Sequence, residues 1–235
     1  MMTGVNFFFS SFTSTLHTKY KDMSSIAAIR KDYMLKSFTE ADAAADAITQ
    51  FTHWWNDALA SKIDEVNAFT LATATKDGKP SARIVLLKGY DASGFVFFTN
   101  YESNKGKTLA ENPVASIVFF WKELERQIRI EGSIEKISAA ESDEYFFSRP
   151  VGSQVGAWAS PQSRVIENRD LIEGNVKTYE EKFSQSPIVR PTHWGGYRLK
   201  PQLIEFWQGR PSRLHDRLQY TLQSTGVWKI ERLAP

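Results

Sequence analysis

Apolar residues keep a helical period near the start of the chain, where Ala44, Ile48, Phe51, Trp55 and Leu59 follow a Thr39/Asp42 pair with capping-box spacing. This predicts an amphipathic helix over 39–61. From Phe69 the pattern changes to short β-rich runs at 67–75, 81–89, 95–100, 114–121 and 127–137, with Asp77-Gly78 and Ser93-Gly94 marking two hairpins. Helical patches fit 102–111, ended by Asn112-Pro113; 138–148, ended before Pro150; and 167–184. Beyond Gly195-Gly196, three more strands are predicted at 197–208, 214–223 and 227–232. So many short strands at hairpin spacing predict a mainly β, α+β fold, rolled into a closed or nearly closed barrel because closure removes pairing-prone edges.

Residues 23–235 read as one domain, with no linker, internal repeat or low-complexity tract. Residues 1–22 read as a disordered N-terminus or a weak targeting leader: Met1 to Lys21 contain no acidic side chain and many Ser, Thr and Phe, but no Arg. A cytoplasmic protein is expected, with the mitochondrion as the alternative that leader would require. The longest apolar stretch, Val114 to Trp121, is interrupted by Ser116 and is far shorter than the roughly 20 residues that cross a bilayer.

Composition narrows the chemistry. The 235 residues are 42% hydrophobic and 24% charged, as in ordinary globular chains. The net charge of +2 disfavours a nucleic-acid-coating protein. With no cysteine, disulfides, thiolate metal sites and Cys nucleophiles are excluded. The 16 Phe, 8 Tyr and 7 Trp suit either a β-rich core or a flat-ring binding site.

Several tempting motifs fail. Gly106-Lys107-Thr108 ends like a phosphate-binding loop, but Tyr101 stands where the first glycine is required. Neither G-x-G-x-x-G nor G-x-S-x-G occurs. His17, His53, His193 and His215 are widely separated, so no metal site is expected, and Asp216 beside His215 would point to the opposite face of a strand.

What remains is a set of cations among amide and aromatic side chains. Strand periodicity places Arg213, His215 and Arg217 on one face, as either a solvated edge or a ligand surface. Tyr145 and Arg149 share a predicted helix face with Ser153 just beyond, as either a helix end or a phosphate grip. Arg83 and Lys88 should face opposite ways, meeting one site only through a bulge or at a subunit interface. Gln127 and Arg129 share parity, and Trp207 suits core or ring-stacking wall equally.

These segments resemble one family. Arg83 to Lys88, Phe98-Thr99-Asn100, Arg126-Gln127, Tyr145 to Pro150, Gln162-Ser163, Trp194-Gly195-Gly196, Glu205 to Gly209, Arg213 to Arg217 and the terminal Glu231 to Pro235 occur in the order and spacing of pyridoxamine 5'-phosphate oxidase. The resemblance covers roughly residues 28–235. It implies an FMN-binding split β-barrel and a homodimer with FMN at the subunit interface. It also implies oxidation of pyridoxamine 5'-phosphate or pyridoxine 5'-phosphate by oxygen to pyridoxal 5'-phosphate, with release of hydrogen peroxide and, from the amine, ammonia.

By the same resemblance, Arg83, Ile84, Val85, Leu86, Lys88, Phe98, Thr99, Asn104, Lys105, Gln127, Gln162, Ser163, Trp207 and Arg217 would form the FMN site. Lys88, Tyr145, Arg149 and Ser153 would hold the substrate phosphate. Arg213 and His215 would flank the pyridine ring and carry the catalytic role, with Leu214 between them. Arg30 and Tyr33 resemble the segment that folds over the substrate. One departure stands out: Ser103-Asn104-Lys105 has Asn104 where the family usually has Arg, which should weaken FMN binding by about 1–3 kcal/mol if no other donor substitutes. A flavin- or pyridoxal-phosphate-binding carrier without oxidase activity is the alternative; it would have no use for Tyr145, Arg149 and Ser153 beside an Arg213–His215 pair.

Overall fold

The computed structural model describes residues 32–235, so Arg30 and the proposed leader lie outside the described residues. Its helices are α1 (Ala47–Ala60), α2 (Asn104–Glu111), α3 (Ala139–Ser148), α4 (Val151–Ala159) and α5 (Asp170–Ser184). The strands are β1 (Ala68–Ala74), β2 (Pro80–Leu86), β3 (Gly89–Asp91), β4 (Gly94–Asn100), β5 (Val114–Trp121), β6 (Arg126–Lys136), β7 (Trp194–Gln208), β8 (Asp216–Leu222) and β9 (Trp228–Arg232). All pair antiparallel in one curled sheet of order β2-β1-β5-β6-β7-β4-β3, with β8 added beside β7 and β9 beside β8. This is the half-barrel of a split barrel, with α1 packed into its core.

The strands form where side chains alternate. β1 and β6 bury every second residue, which is what a sheet with one face on a core requires. β7 is long enough to serve two neighbours, pairing β4 over its first half and β8 over its second while β6 runs along its other edge. A bulge between Glu131 and Gly132 bends this ladder, and a Cβ on Gly132 would lie 1.9 Å from the Lys200 carbonyl oxygen. Helix α1 closes the core: Phe51 is fully buried, with its ring 4.8 Å from those of Tyr90 and Phe95 and 5.6 Å from Phe119. Among the described residues, half of the Phe, Tyr and Trp side chains are buried.

Three expectations need correction, and one helix was not foreseen. The Thr39/Asp42 box caps a separate 3-10 turn, and α1 begins only after Asp46, whose side chain accepts from the Thr49 N–H. The α1 face rotates accordingly, burying Phe51, Trp54 and Ala58 and leaving Leu59 half exposed. The predicted strand 81–89 breaks after Leu86 into β2 and β3. The helix expected over 138–148 does end before Pro150, as α3, and the same proline starts the unpredicted α4, since its missing N–H would be unpaired in a first turn anyway. Finally, 214–223 shortens to β8, because a 3-10 turn over Pro211–Arg213 holds Ser212 and Arg213 at φ 55° and 62°.

Candidate functional site

A cavity of about 580 Å³ opens between β2, β4, α2, α3 and the start of β7. Arg83, Ile84, Val85, Leu86, Lys88, Phe98, Thr99, Lys105, Tyr145, Arg149 and Gln162 line it, joined by Trp194. Arg83 and Lys88 reach it together, contrary to their strand parity. The break after Leu86 frees Lys88 from the β2 alternation, so neither a bulge nor a second subunit is needed to bring the two together.

No acidic side chain among the described residues lines this cavity. Arg83 donates to neutral oxygens only, the Leu71 carbonyl at 3.2 Å, Thr73 Oγ1 at 2.9 Å and Ser81 Oγ at 2.6 Å. Lys105 Nζ donates to Thr99 Oγ1 at 3.1 Å and Gln162 Oε1 at 3.2 Å. Burial and the nearby Arg83 charge push the Lys105 ammonium below its ordinary value, and burial does the same to Arg83 and Arg149. Arg149 caps α3 from its C-terminal end, and its Nη1 is buried with no hydrogen-bond partner. Elsewhere the protein pairs its guanidiniums, Arg126 with Asp57 at 2.7 Å and Arg190 with Asp143 at 2.6 Å. A buried donor without a partner costs about 1–3 kcal/mol. Arg83, Lys88, Lys105 and Arg149 thus surround one cavity with no carboxylate partner among the described residues, a chemistry suited to a polyanion.

The cavity wall is aromatic. Phe98 stacks on Tyr145 at 4.0 Å and on Trp194 at 5.4 Å between ring centroids, and Lys88 Nζ lies 5.9 Å from the Tyr145 ring. The register pairs Phe98 with Gly196, and a Cβ there would meet the Phe98 ring at 2.9 Å and Ile137 at 2.3 Å. Gly196 thus admits the stack, while Gly195 admits the Tyr101 hydroxyl, 2.2 Å from where its Cβ would lie. Trp194 is the lining residue that the sequence reading assigned no role; the glycine pair beside it was the available signal.

A second cluster lies at the other end of the chain. Trp207 and His215 rings are 4.5 Å apart, and Tyr33 stands edge-on to both at 5.8 Å and 6.1 Å. Gly209 permits this, since a Cβ would sit 2.6 Å from the Tyr33 ring. His215 Nδ1 accepts from the Arg210 N–H at 3.1 Å, which leaves Nε2 to carry the proton of the neutral ring. Burial, with the charges of Arg213 and Arg217, lowers the His215 pKa and favours that neutral form. Because Arg213 sits in a turn and His215 precedes β8, the expected single strand face of Arg213, His215 and Arg217 does not exist. Leu214 between them is largely exposed.

Beside this cluster, Glu205 is 2% exposed between two guanidiniums: Arg217 Nε lies 2.7 Å from Oε1 and Arg129 Nη2 2.8 Å from Oε2. Burial pushes its carboxyl up, but the hydrogen bonds and charges of Arg217 and Arg129 outweigh this and hold it below its ordinary value. Gln127 pairs in register with Trp207, and Trp207 with Arg217. None of Gln127, Ser163, Trp207, Arg213, Leu214, His215 and Arg217 lines the polyanion cavity, nor do Asn104, exposed at the start of α2, and Ser153, in the first turn of α4. The structure thus gathers most of the predicted residues into two separate groups and leaves Asn104, Ser153 and Ser163 in neither. No group of three His, Asp or Glu with metal-binding geometry occurs among the described residues, and no helix there is long and apolar enough to cross a membrane.

Residues 56–183 match the family pattern described as pyridoxamine 5'-phosphate oxidase, and residues 194–235 match that of the pyridoxine 5'-phosphate oxidase C-terminal dimerisation region. The chain is 57% identical to the pyridoxine/pyridoxamine 5'-phosphate oxidase of Cupriavidus metallidurans over 213 residues, covering 91% of this chain and all of that one. The enzyme of the same name from Burkholderia cenocepacia is 58% identical over 215 residues, again 91% of this chain and all of that one. Among solved structures, PhzG from Burkholderia lata, crystallised with tetrahydrophenazine-1-carboxylic acid, superposes with a TM-score of 0.80 at 32% identity, covering 87% of this chain and all of that one. A protein from Nostoc punctiforme described as pyridoxamine 5'-phosphate oxidase-related and FMN-binding shares the fold, with a TM-score of 0.66 at 17% identity over 82% of this chain and all of that one. With both patterns matched and full-length relatives more than half identical, the chain belongs to the pyridoxine/pyridoxamine 5'-phosphate oxidase family.

Proposed function

We propose that this chain is an FMN-dependent oxidase that converts pyridoxine 5'-phosphate and pyridoxamine 5'-phosphate to pyridoxal 5'-phosphate, serving vitamin B6 salvage in the cytoplasm. The observation that carries this reading is the cavity of four cations without a carboxylate among the described residues, in which Arg149 keeps a buried Nη1 unpartnered. Such donors fit phosphate dianions, each charge-assisted bond contributing about 1.5–3 kcal/mol. In this reading Arg83, the 84–86 main chain, Thr99, Lys105 and Gln162 would hold FMN, while Lys88, Tyr145 and Arg149 would hold the substrate phosphate.

The ring-binding half of the site would come from a second copy of the chain. Trp207, Arg213, His215 and Arg217 all lie within the segment matching a dimerisation region, and they share no cavity with the phosphate residues of their own protomer. A homodimer would bring them across, Gln127, Trp207 and Arg217 toward the flavin, Arg213 and His215 toward the pyridine ring, with Tyr33 covering it.

FMN would supply the redox chemistry, accepting hydride from the substrate's C4' carbon and passing the electrons to oxygen as hydrogen peroxide. The protein's contribution is placement and charge. Phosphate anchoring converts a collision into an oriented encounter, and Arg213 puts positive charge beside the ring. His215, with Nδ1 occupied by the Arg210 N–H, orients through Nε2 as a donor. With Asn104 contributing no guanidinium, Lys105 and Arg83 would carry the flavin phosphate, at some cost in affinity.

Oxygen uptake tests the reading. FMN-loaded protein should consume oxygen and form aldehyde when given pyridoxine 5'-phosphate. Tight binding of the flavin with neither product would instead indicate a carrier.

A further inference from the structure

We infer that Trp194 is a positioning residue that holds the Arg149 guanidinium for a phosphate dianion without neutralising it. This rests on the proposed function and adds a residue to the substrate end of its site.

A buried arginine is ordinarily fixed by a carboxylate, as Arg126 and Arg190 are here. Such a partner consumes donors and cancels the charge that an incoming anion needs. Arg149 is fixed differently. Its guanidinium carbon lies 4.6 Å from the Trp194 ring centroid, with Phe146 behind it at 5.9 Å, and its carbonyl accepts from Gln154 Nε2 at 2.8 Å. A ring face orients a cation through its quadrupole while leaving the N–H donors at its edge open. The buried, unpartnered Nη1 is what that arrangement leaves over.

The surroundings enforce the choice. Asp143, on the same helix as Tyr145, is bound by Arg190 Nε at 2.6 Å, and Arg190 Nη1 donates to the Trp194 carbonyl at 2.6 Å. Arg190 therefore occupies a carboxylate of α3 and pins the Trp194 backbone in one arrangement. The indole in turn is 7% exposed, stacked on Phe98 at an interplanar angle of 15°, and continues the stack that carries Tyr145. Trp194 thus aligns two of the proposed phosphate-binding side chains.

The test compares kcat/KM for pyridoxine 5'-phosphate with that for unphosphorylated pyridoxine in the FMN-loaded enzyme, together with competitive inhibition by inorganic phosphate. Trp194→Leu should lower the phosphorylated-to-unphosphorylated ratio about tenfold, mainly through KM, and weaken inhibition by phosphate to a similar degree. Trp194→Phe, keeping a smaller ring, should restore most of the ratio. General damage to the fold would lower both substrates alike, leaving the ratio unchanged, and that result would overturn the inference. If Trp194→Leu does not fold, Trp194→Phe decides: a ratio at least twofold below wild type supports the inference, and an unchanged one rejects it. Wild-type enzyme with no preference for the phosphorylated substrate would instead reject the proposed function itself.

Discussion

Arg149 and Arg213 are both cations on irregular backbone, yet they face different tasks. Arg149 ends α3 with a buried donor left open, whereas Arg213 sits in a left-handed turn beside a neutral imidazole. Arg149→Ala should raise KM for pyridoxine 5'-phosphate by about 10- to 100-fold while FMN retention changes little, because one charge-assisted contact to the substrate phosphate is lost. Steady-state kinetics beside a flavin titration checks this, and equal loss of both ligands would show that the cavity is partitioned otherwise. Arg213→Ala should raise the His215 pKa toward its ordinary value, since one of the two cations depressing it is gone. The sign is open to NMR of the imidazole C2 proton; an unchanged or lower value would contradict the geometry. The family of these residues was legible in the sequence, but their disposition was not, because no glycine announces the left-handed Ser212 and Arg213.

At the scale of elements, the three-strand patch of β6, β7 and β8 is tied together by one carboxylate. Glu205 stands opposite Arg129 in the register and holds Arg217 from the next strand. Glu205→Gln should destabilise the fold by about 2–3 kcal/mol, at the low end for a buried pair because both guanidiniums are about one-third exposed, lowering Tm by roughly 5–10 °C. Since the folded-state pKa of Glu205 lies below its unfolded value, its stabilisation is present above the unfolded carboxylate pKa and lost as pH falls through the folded one. Thermal melts from neutral to acid pH should therefore converge for the two proteins; a constant gap would contradict this. Alternation made most strands readable in sequence, as in β1 and β6. Helix α4 was not, because a proline that stops one helix serves equally to start the next, and α1 was misplaced because two capping signals lie seven residues apart, at Thr39 and Asp46.

At the scale of the molecule, the division into two groups predicts sharing between subunits. Arg149→Ala and Arg213→Ala dimers should each be nearly inactive at low substrate. Mixed and re-equilibrated, half the dimers would be hybrids carrying one intact site and one doubly defective site, restoring about a quarter of wild-type activity. No recovery, with exchange confirmed by a tag, would place the complete site within one protomer. Sequence reading could propose this only by resemblance and by an Arg83/Lys88 parity that the break after Leu86 removes, since separation across a dimer depends on which residues share a cavity, and that is a property of the folded chain.

The most direct measurement is the visible spectrum of the FMN-loaded protein mixed with substrate in the absence of oxygen. The account predicts bleaching of the flavin band by pyridoxine 5'-phosphate, little bleaching by equimolar pyridoxine, and full recovery on admitting air. A band that stays unchanged with the phosphorylated compound would contradict it.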